Sequence, residues 1–114
     1  MPKVRIAGVI ISNDQKWIYD WFDMESFCIN DLYKAITNEY DTLDIEINSG
    51  GGSVFAGSEI YTALKNHKGT VNVSIVGLAA SAASVIAMSG NNIKMSPTAQ
   101  FMIHNVSAQG AGDY

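Results

Sequence analysis

The sequence holds a single cysteine, Cys28, so no intrachain disulfide can form and no secreted disulfide framework is implied. A lone thiol of this kind is expected to be a buried structural side chain rather than a nucleophile. Basic residues are scarce as well: seven Lys and Arg against eleven Asp and Glu give a net charge of −4. Those seven are scattered, whereas a nucleic-acid binder needs a dense cationic surface to displace condensed counterions, so no nucleic-acid partner is expected. The one local cluster, Lys65, His67 and Lys68, reads as a helix C-terminus where cations offset the dipole, with His67 exposed. Two histidines and one cysteine, far apart in sequence, make no metal-ligand set, and no cofactor is expected. Long apolar runs are missing too. Val4 to Ile11 carries Arg5 and runs into Ser12-Asn13-Asp14 with no cleavage pattern. Val71 to Met88 is broken by Asn72, Ser74, Gly77, Ser81 and Ser84, while a spanning helix needs about 20 predominantly apolar residues. A soluble, cytoplasmic protein without a membrane partner is therefore expected. What the chain does have is apolar bulk. With 47% hydrophobic and 16% charged residues, its 114 residues suit a packed globular core, one domain or part of one.

Along the chain, Val4 to Ile11 is short and β-branched, a strand, and Ser12-Asn13-Asp14 is a turn. The aromatic cluster Trp17 to Phe22 reads either as a second strand or turn packed on the core, or as a contact patch for another subunit. Ile29, Leu32, Tyr33 and Ile36 recur at helical spacing, with Ser26 or Asn30 as the candidate N-cap and an end near Asn38 to Tyr40. From there one pattern repeats. Leu43 to Ile47 alternates as a strand, Asn48 to Gly52 is a loop, and Ser53 to His67 is a helix with Ile60, Tyr61 and Leu64 on its inner face. Val71 to Val76 is then a strand, Gly77 to Ala80 a tight loop, and Ser81 to Met88 a helix. Asn91 to Met95 and Gln100 to Ile103 read as two more short strands, and the tail from Val106 to Tyr114 is loop-like. Such alternation predicts an α/β fold with a largely parallel sheet. Right-handed crossovers put both small-residue loops beyond the strand C-termini, the edge where ligands and chemistry sit in open α/β sheets.

Three places on that edge could carry chemistry. Ser49-Gly50-Gly51-Gly52-Ser53 lacks the lysine of a phosphate-binding loop and the third glycine of a dinucleotide fingerprint. It remains either a plain tight turn or a loop whose backbone N–H groups, at a helix N-terminus, suit an oxyanion. Ser81 stands where a strand hands over to a helix among the smallest side chains, Gly77-Leu78-Ala79-Ala80 before it and Ala82-Ala83 after. It is either an N-cap serine or a nucleophile on a tight elbow, although the G-x-S-x-G motif itself is absent. His104 follows the apolar run Phe101-Met102-Ile103 and is either a structural histidine or a general base sharing the edge with Ser81.

At these residues the chain resembles the Clp protease proteolytic subunit. Ile47-Asn48-Ser49-Gly50-Gly51-Gly52-Ser53-Val54-Phe55-Ala56-Gly57 is similar to that family's INSPGG-x-V-x-AG segment, Gly77 to Ser81 to its G-x-AAS nucleophile segment, and Phe101 to Asn105 to its MIHQP segment. Three segments in register, from about Leu43 to Asn105, make the resemblance specific. Gly50 in place of the family proline, the run Gly57 to Leu64 and the string Ser96 to Gln100 resemble the branch that phages use in head maturation. The resemblance implies a ClpP/crotonase-like fold of repeated strand-turn-helix units and a serine endopeptidase. In it Ser81 is the nucleophile, His104 the general base, and the backbone N–H groups of Gly52 and Ala82 form the oxyanion hole. It implies a homo-oligomeric ring and protein substrates such as scaffold or capsid proteins, in the host cytoplasm or an assembling prohead. The family's acid lies well beyond the histidine, and here only Asp113, which does not match the motif, follows His104. Residues 1–114 are thus expected to be the N-terminal part of one peptidase domain, truncated and weakly active or inactive alone. A non-catalytic assembly fragment and an enoyl-CoA hydratase-like acyl-CoA enzyme stand as the alternatives.

Overall fold

The computed structural model describes residues 2–103. In chain order, β1 (Lys3–Ile10) leads through a 3₁₀ turn (Asn13–Gln15) into α1 (Lys16–Trp21), β2 (Ser26–Phe27) and α2 (Ile29–Ala35). The strand-helix pattern then repeats with β3 (Leu43–Gly52), α3 (Val54–Lys65), β4 (Val71–Ala80) and α4 (Ala82–Ala87), followed by β5 (Asn92–Met95) and β6 (Gln100–Met102). The six strands form one sheet in the order β2-β1-β3-β4-β5, with β6 also paired to β4. Every pairing is parallel, as the alternating pattern predicts.

Alternation along the central strands decides which face is dry. Leu43, Ile45 and Ile47 of β3 and Val71, Val73 and Ile75 of β4 are buried, together with Val4, Ile6 and Ile10 of β1. Onto this face pack Ile29 and Leu32 of α2, Ile60 and Leu64 of α3, and Ala82, Ala83, Ile86 and Ala87 of α4, making one core. Burial of each large aliphatic contributes about 2 kcal/mol. The intervening residues Asp44, Glu46, Asn72 and Ser74 are half-buried on the opposite face. There polar side chains pair across strands, Asn72 Nδ2 donating to Asp44 Oδ1 at 3.3 Å and Asn92 Nδ2 to Asn72 Oδ1 at 2.8 Å.

Both small-residue segments at the strand C-termini differ from expectation in one respect: the predicted loops are strand. Gly51 and Gly52 lie in β3 opposite Val9 and Ile10, after a register shift between Ala7 and Val9. Likewise Leu78, Ala79 and Ala80 lie in β4 opposite Gln100, Phe101 and Met102 of β6. Pairing partners remote in sequence convert turn-rich segments into strand, which local patterning cannot register.

The aromatic cluster is also different. Trp17, Trp21 and Phe22 belong to the short helix α1 and its end, they are exposed, and α1 buries no residue at all. Neither a second strand nor a core contact forms there. For α2, the cap is Cys28 rather than Ser26 or Asn30, and Tyr33 is exposed. Cys28 is buried, as a structural thiol should be. His67 is half-buried rather than exposed, its Nε2 lying 2.6 Å from the Asp41 carbonyl oxygen. No helix among the described residues is long and apolar enough to cross a membrane.

Asp31 holds the start of α2. Its Oδ2 accepts from the Cys28 N–H at 3.1 Å and pairs with Lys16 Nζ at 3.1 Å. Partial burial pushes its carboxyl pKa up, but the Cys28 N–H and the Lys16 ammonium outweigh that and hold it below the usual carboxylate value. A depressed folded-state pKa contributes stability above the unfolded value near 4, and the contribution is lost as pH falls through the folded pKa. Asp31→Asn is accordingly expected to lower stability by about 1 kcal/mol at pH 7, the scale of a lost cap. The gap to wild type should close in urea titrations near pH 2.

Candidate active site

Ser81 has an unusual backbone conformation. Its φ of 55° and ψ of −124° lie in a region that L-residues with a Cβ avoid, and Asp23 is the one other non-glycine residue at positive φ among those described. Strain of this kind costs on the order of 1–3 kcal/mol and persists only where surroundings over-determine it. Here they do. The Ser81 N–H donates to the Met102 carbonyl at 3.1 Å, while the Ser81 carbonyl accepts from the Ser84 N–H at 2.9 Å and from Ser84 Oγ. The backbone is thus pinned from both sides. The Ser81 side chain makes no capping bond to α4, so the N-cap role does not occupy its hydroxyl.

Beneath Ser81 lies the glycine segment. A Cβ added at Gly51 would stand 2.7 Å from Ser81 Cβ, 2.8 Å from the Ala80 carbonyl oxygen and 3.2 Å from the Ala82 nitrogen. Only glycine permits that approach, and its φ of +106° demands glycine independently. A Cβ at Gly52 would meet the Ile10 backbone at 2.3 Å, whereas one at Gly50 would find its nearest neighbour, a Leu78 methyl, at 3.9 Å. The three glycines are therefore not equivalent. Gly57, on the first turns of α3, lets α3 press against Ala82, where a Cβ would come within 2.8 Å of the Ala82 methyl.

Two polar side chains that pattern reasoning passed over fix this segment. Buried Ser49 donates from Oγ to the Gly8 carbonyl at 2.6 Å and accepts from the Gly51 N–H at 3.0 Å, tying the glycines to β1. Asn48 accepts at Oδ1 from the Leu78 N–H at 3.0 Å. This closes the irregularity where β3 and β4 slip register between Ile47 and Ser49. Their position directly before the glycines is the signal that could have found them.

β6 brings the chain to the same edge. Met102 is paired opposite Ala80, and His104 is two residues further along the sequence. His104 itself lies outside the described residues, as does Asp113. The edge thus collects a strained serine, an exposed glycine backbone, and the first N–H groups of α4, which have no acceptor within the helix. Such a constellation can hold a nucleophile beside donors aimed at developing negative charge.

Comparison with known proteins assigns the class. Residues 21–113 match the Clp protease family, and the chain belongs to it. It is 37% identical over 73 residues to the ATP-dependent Clp protease proteolytic subunit of Deinococcus radiodurans, covering 62% of this chain and 36% of that protein. It is 43% identical over 60 residues to the subunit of the same description from Streptococcus salivarius, covering 51% of this chain and 31% of that protein. The chain thus spans about a third of the length of these curated relatives. Among solved structures, a ClpP1 variant from Listeria monocytogenes superposes with a TM-score of 0.66 at 29% identity, covering 97% of this chain and 62% of that one. The ClpP protease catalytic domain of Plasmodium falciparum gives a TM-score of 0.66 at 29% identity over 90% of this chain and 54% of that one. The fold is the α/β, mostly parallel architecture of that catalytic domain.

Proposed function

We propose that this chain supplies the nucleophile and the oxyanion-binding backbone of a serine endopeptidase. The observation that carries the reading is the backbone of Ser81, held at positive φ between β4 and α4 directly over Gly51. A strained strand-to-helix turn of this kind presents a serine hydroxyl free of local hydrogen bonds. In the proposed reaction, Ser81 Oγ attacks the scissile carbonyl and its proton passes to His104. His104 then gives the proton to the leaving amine, and water releases the acyl group by the same exchange. The parallel pairing of β6 with β4 supports His104 as the base, because the chain reaches the Ser81 amide only two residues earlier.

The N–H groups of Gly52 and Ala82 are the proposed oxyanion donors. The Ser53 N–H donates back to the Ile10 carbonyl at 2.8 Å. Successive N–H groups of an extended strand alternate in direction, which turns that of Gly52 away from β1 and toward β4. The close approach of Gly51 to the Ala82 nitrogen supports the pairing of the two donors. One such donor contributes about 3 kcal/mol of transition-state stabilisation.

The finer assignments rest on the residue resemblances: residues 1–114 as part of one peptidase domain, self-association into a ring, and processing of scaffold or capsid proteins during phage head maturation. Gly50 in place of the family proline is the residue on which the last rests. The test is covalent. A fluorophosphonate probe is expected to add to Ser81 Oγ in the protein at its native expressed length, with peptide mapping locating the adduct. Labelling elsewhere, or none, would sink the assignment.

A further inference from the structure

The segment between β1 and β2 is not used by the chemistry, yet it is built in an unusual way. Its helix α1 has six residues and buries none of them. Isolated helices of that length do not hold themselves together in water. Polar bonds at its base anchor it instead. Lys16 Nζ donates to the Ser26 carbonyl and to Ser26 Oγ, both at 3.0 Å, and pairs with Asp31, while Asn13 Oδ1 accepts from the Asn30 N–H at 3.0 Å. The aromatic side chains point outward: Trp17 is 68% exposed, Trp21 78% and Phe22 67%. At ~200 Å² per ring system, these three alone leave roughly 400 Å² of apolar surface in water, the scale at which an exposed patch marks an interaction site.

Two depressions meet on this segment and share Met24. One is mostly apolar, lined by Ile18, Tyr19, Phe22 and Met24 with Gln15 beside them. The other is acidic, lined by Asp20, Asp23 and Glu25. Residues 13–25 hold four carboxylates against one lysine, and that lysine is already committed to Ser26 and Asp31. Glu25 pairs with Arg5 at 3.5 Å, whereas Asp20 and Asp23 have no cationic partner among the described residues. Asp23 also takes a positive φ (56°) just past the end of α1, a conformation that Asp tolerates better than most residues with a Cβ.

Charge and shape together select the occupant. An anionic lipid surface or a nucleic acid would be repelled, and a second copy would bring its own acids against these. A segment with an apolar side chain next to Lys or Arg satisfies both depressions at once. We propose that the α1 segment is a docking groove for an extended, basic-and-apolar stretch of the protein substrate. This rests on the peptidase reading and names its substrate class. Continuity favours substrate over any other polypeptide. The segment leaves β1 at Ile10, which is paired with Gly52, and β4 ends two strand spacings away, roughly 10 Å. An extended peptide crosses that distance in about three residues, and because the groove at residues 18–25 lies further out on the β2 side, the bond presented to Ser81 lies beyond that number.

Binding is measured on Ser81→Ala protein by fluorescence anisotropy, so that hydrolysis plays no part. The probe is a labelled twelve-residue peptide alternating Leu and Lys, compared with one alternating Leu and Glu. The Leu/Lys peptide is expected to bind at least tenfold tighter. Asp20→Asn with Asp23→Asn, and separately Trp21→Ala with Phe22→Ala, should each weaken it about tenfold. These residues are exposed, and unchanged melting verifies the fold. Equal binding of the two peptides, or variants that bind like the parent, overturns the groove. So does comparable capture of phosphatidylglycerol vesicles, or self-association abolished by Trp21→Ala. Failure of Ser81 to hydrolyse any peptide would instead defeat the peptidase reading and leave this binding result standing.

Discussion

Ser81→Ala is expected to reduce peptide hydrolysis by about 10⁴–10⁶-fold, the range seen when the nucleophile of a serine peptidase is removed. Stability should hardly move. Alanine suffers the same positive φ as serine, and the hydroxyl makes no capping bond whose loss would be felt. Ser81→Gly separates the two effects. It should be equally inactive yet no less stable than Ser81→Ala in urea, because the released strain of order 1–3 kcal/mol outweighs the extra unfolded-state freedom of glycine. Retention of hydrolysis above a hundredth of wild type in Ser81→Ala would reject the nucleophile.

The glycine segment makes the second large prediction. Gly51→Ala places a methyl carbon 2.7 Å from Ser81 Cβ and 2.8 Å from the Ala80 oxygen, with backbone on both sides and no flexible atom to yield. It also forces a non-glycine residue to a φ of +106°. A destabilisation of about 2–4 kcal/mol is expected, together with about a hundredfold loss of kcat in whatever protein folds, because the elbow must shift. Gly50→Ala, one residue earlier, has open space at 3.9 Å and should be neutral within ~0.5 kcal/mol. Equal tolerance at the two positions would contradict the close packing of Gly51 on Ser81. Thermal melts of both variants, with turnover on a fluorogenic peptide, decide it.

Leu43 to Ile47 shows what was legible in sequence: strict alternation places alternate side chains on a dry face, and the strand and its burial follow. The two strand-to-helix junctions were legible in the same way, since small residues between periodic segments mark tight connections. The extension of β3 through Gly52 was not, because Val9 and Ile10, some forty residues earlier, supply the pairing. Nor was α1, whose aromatics have no buried face and hence no helical period to read. Cys28 as a cap went unseen because the bond at that helix start is donated by the Cys28 N–H to the Asp31 carboxylate, not made by a polar cap side chain. For Ser81, composition allowed a capping serine and a nucleophile alike. The missing side-chain bond to α4 counts against the cap, and the backbone angle that supports the proposed nucleophile is encoded by no residue pattern without the strands on either side. His104 and Asp113 lie outside the described residues, and their roles rest on the resemblance.

The bond from the Ser81 amide to the Met102 carbonyl also orders events in time. During synthesis the serine leaves the ribosome about twenty residues before the strand that fixes its backbone. Until that strand docks, the Ser81 backbone lacks one of the two ties that pin its strained turn. On the proposed peptidase reading, the nucleophile is therefore not set in place until β6 has been made and has paired with β4.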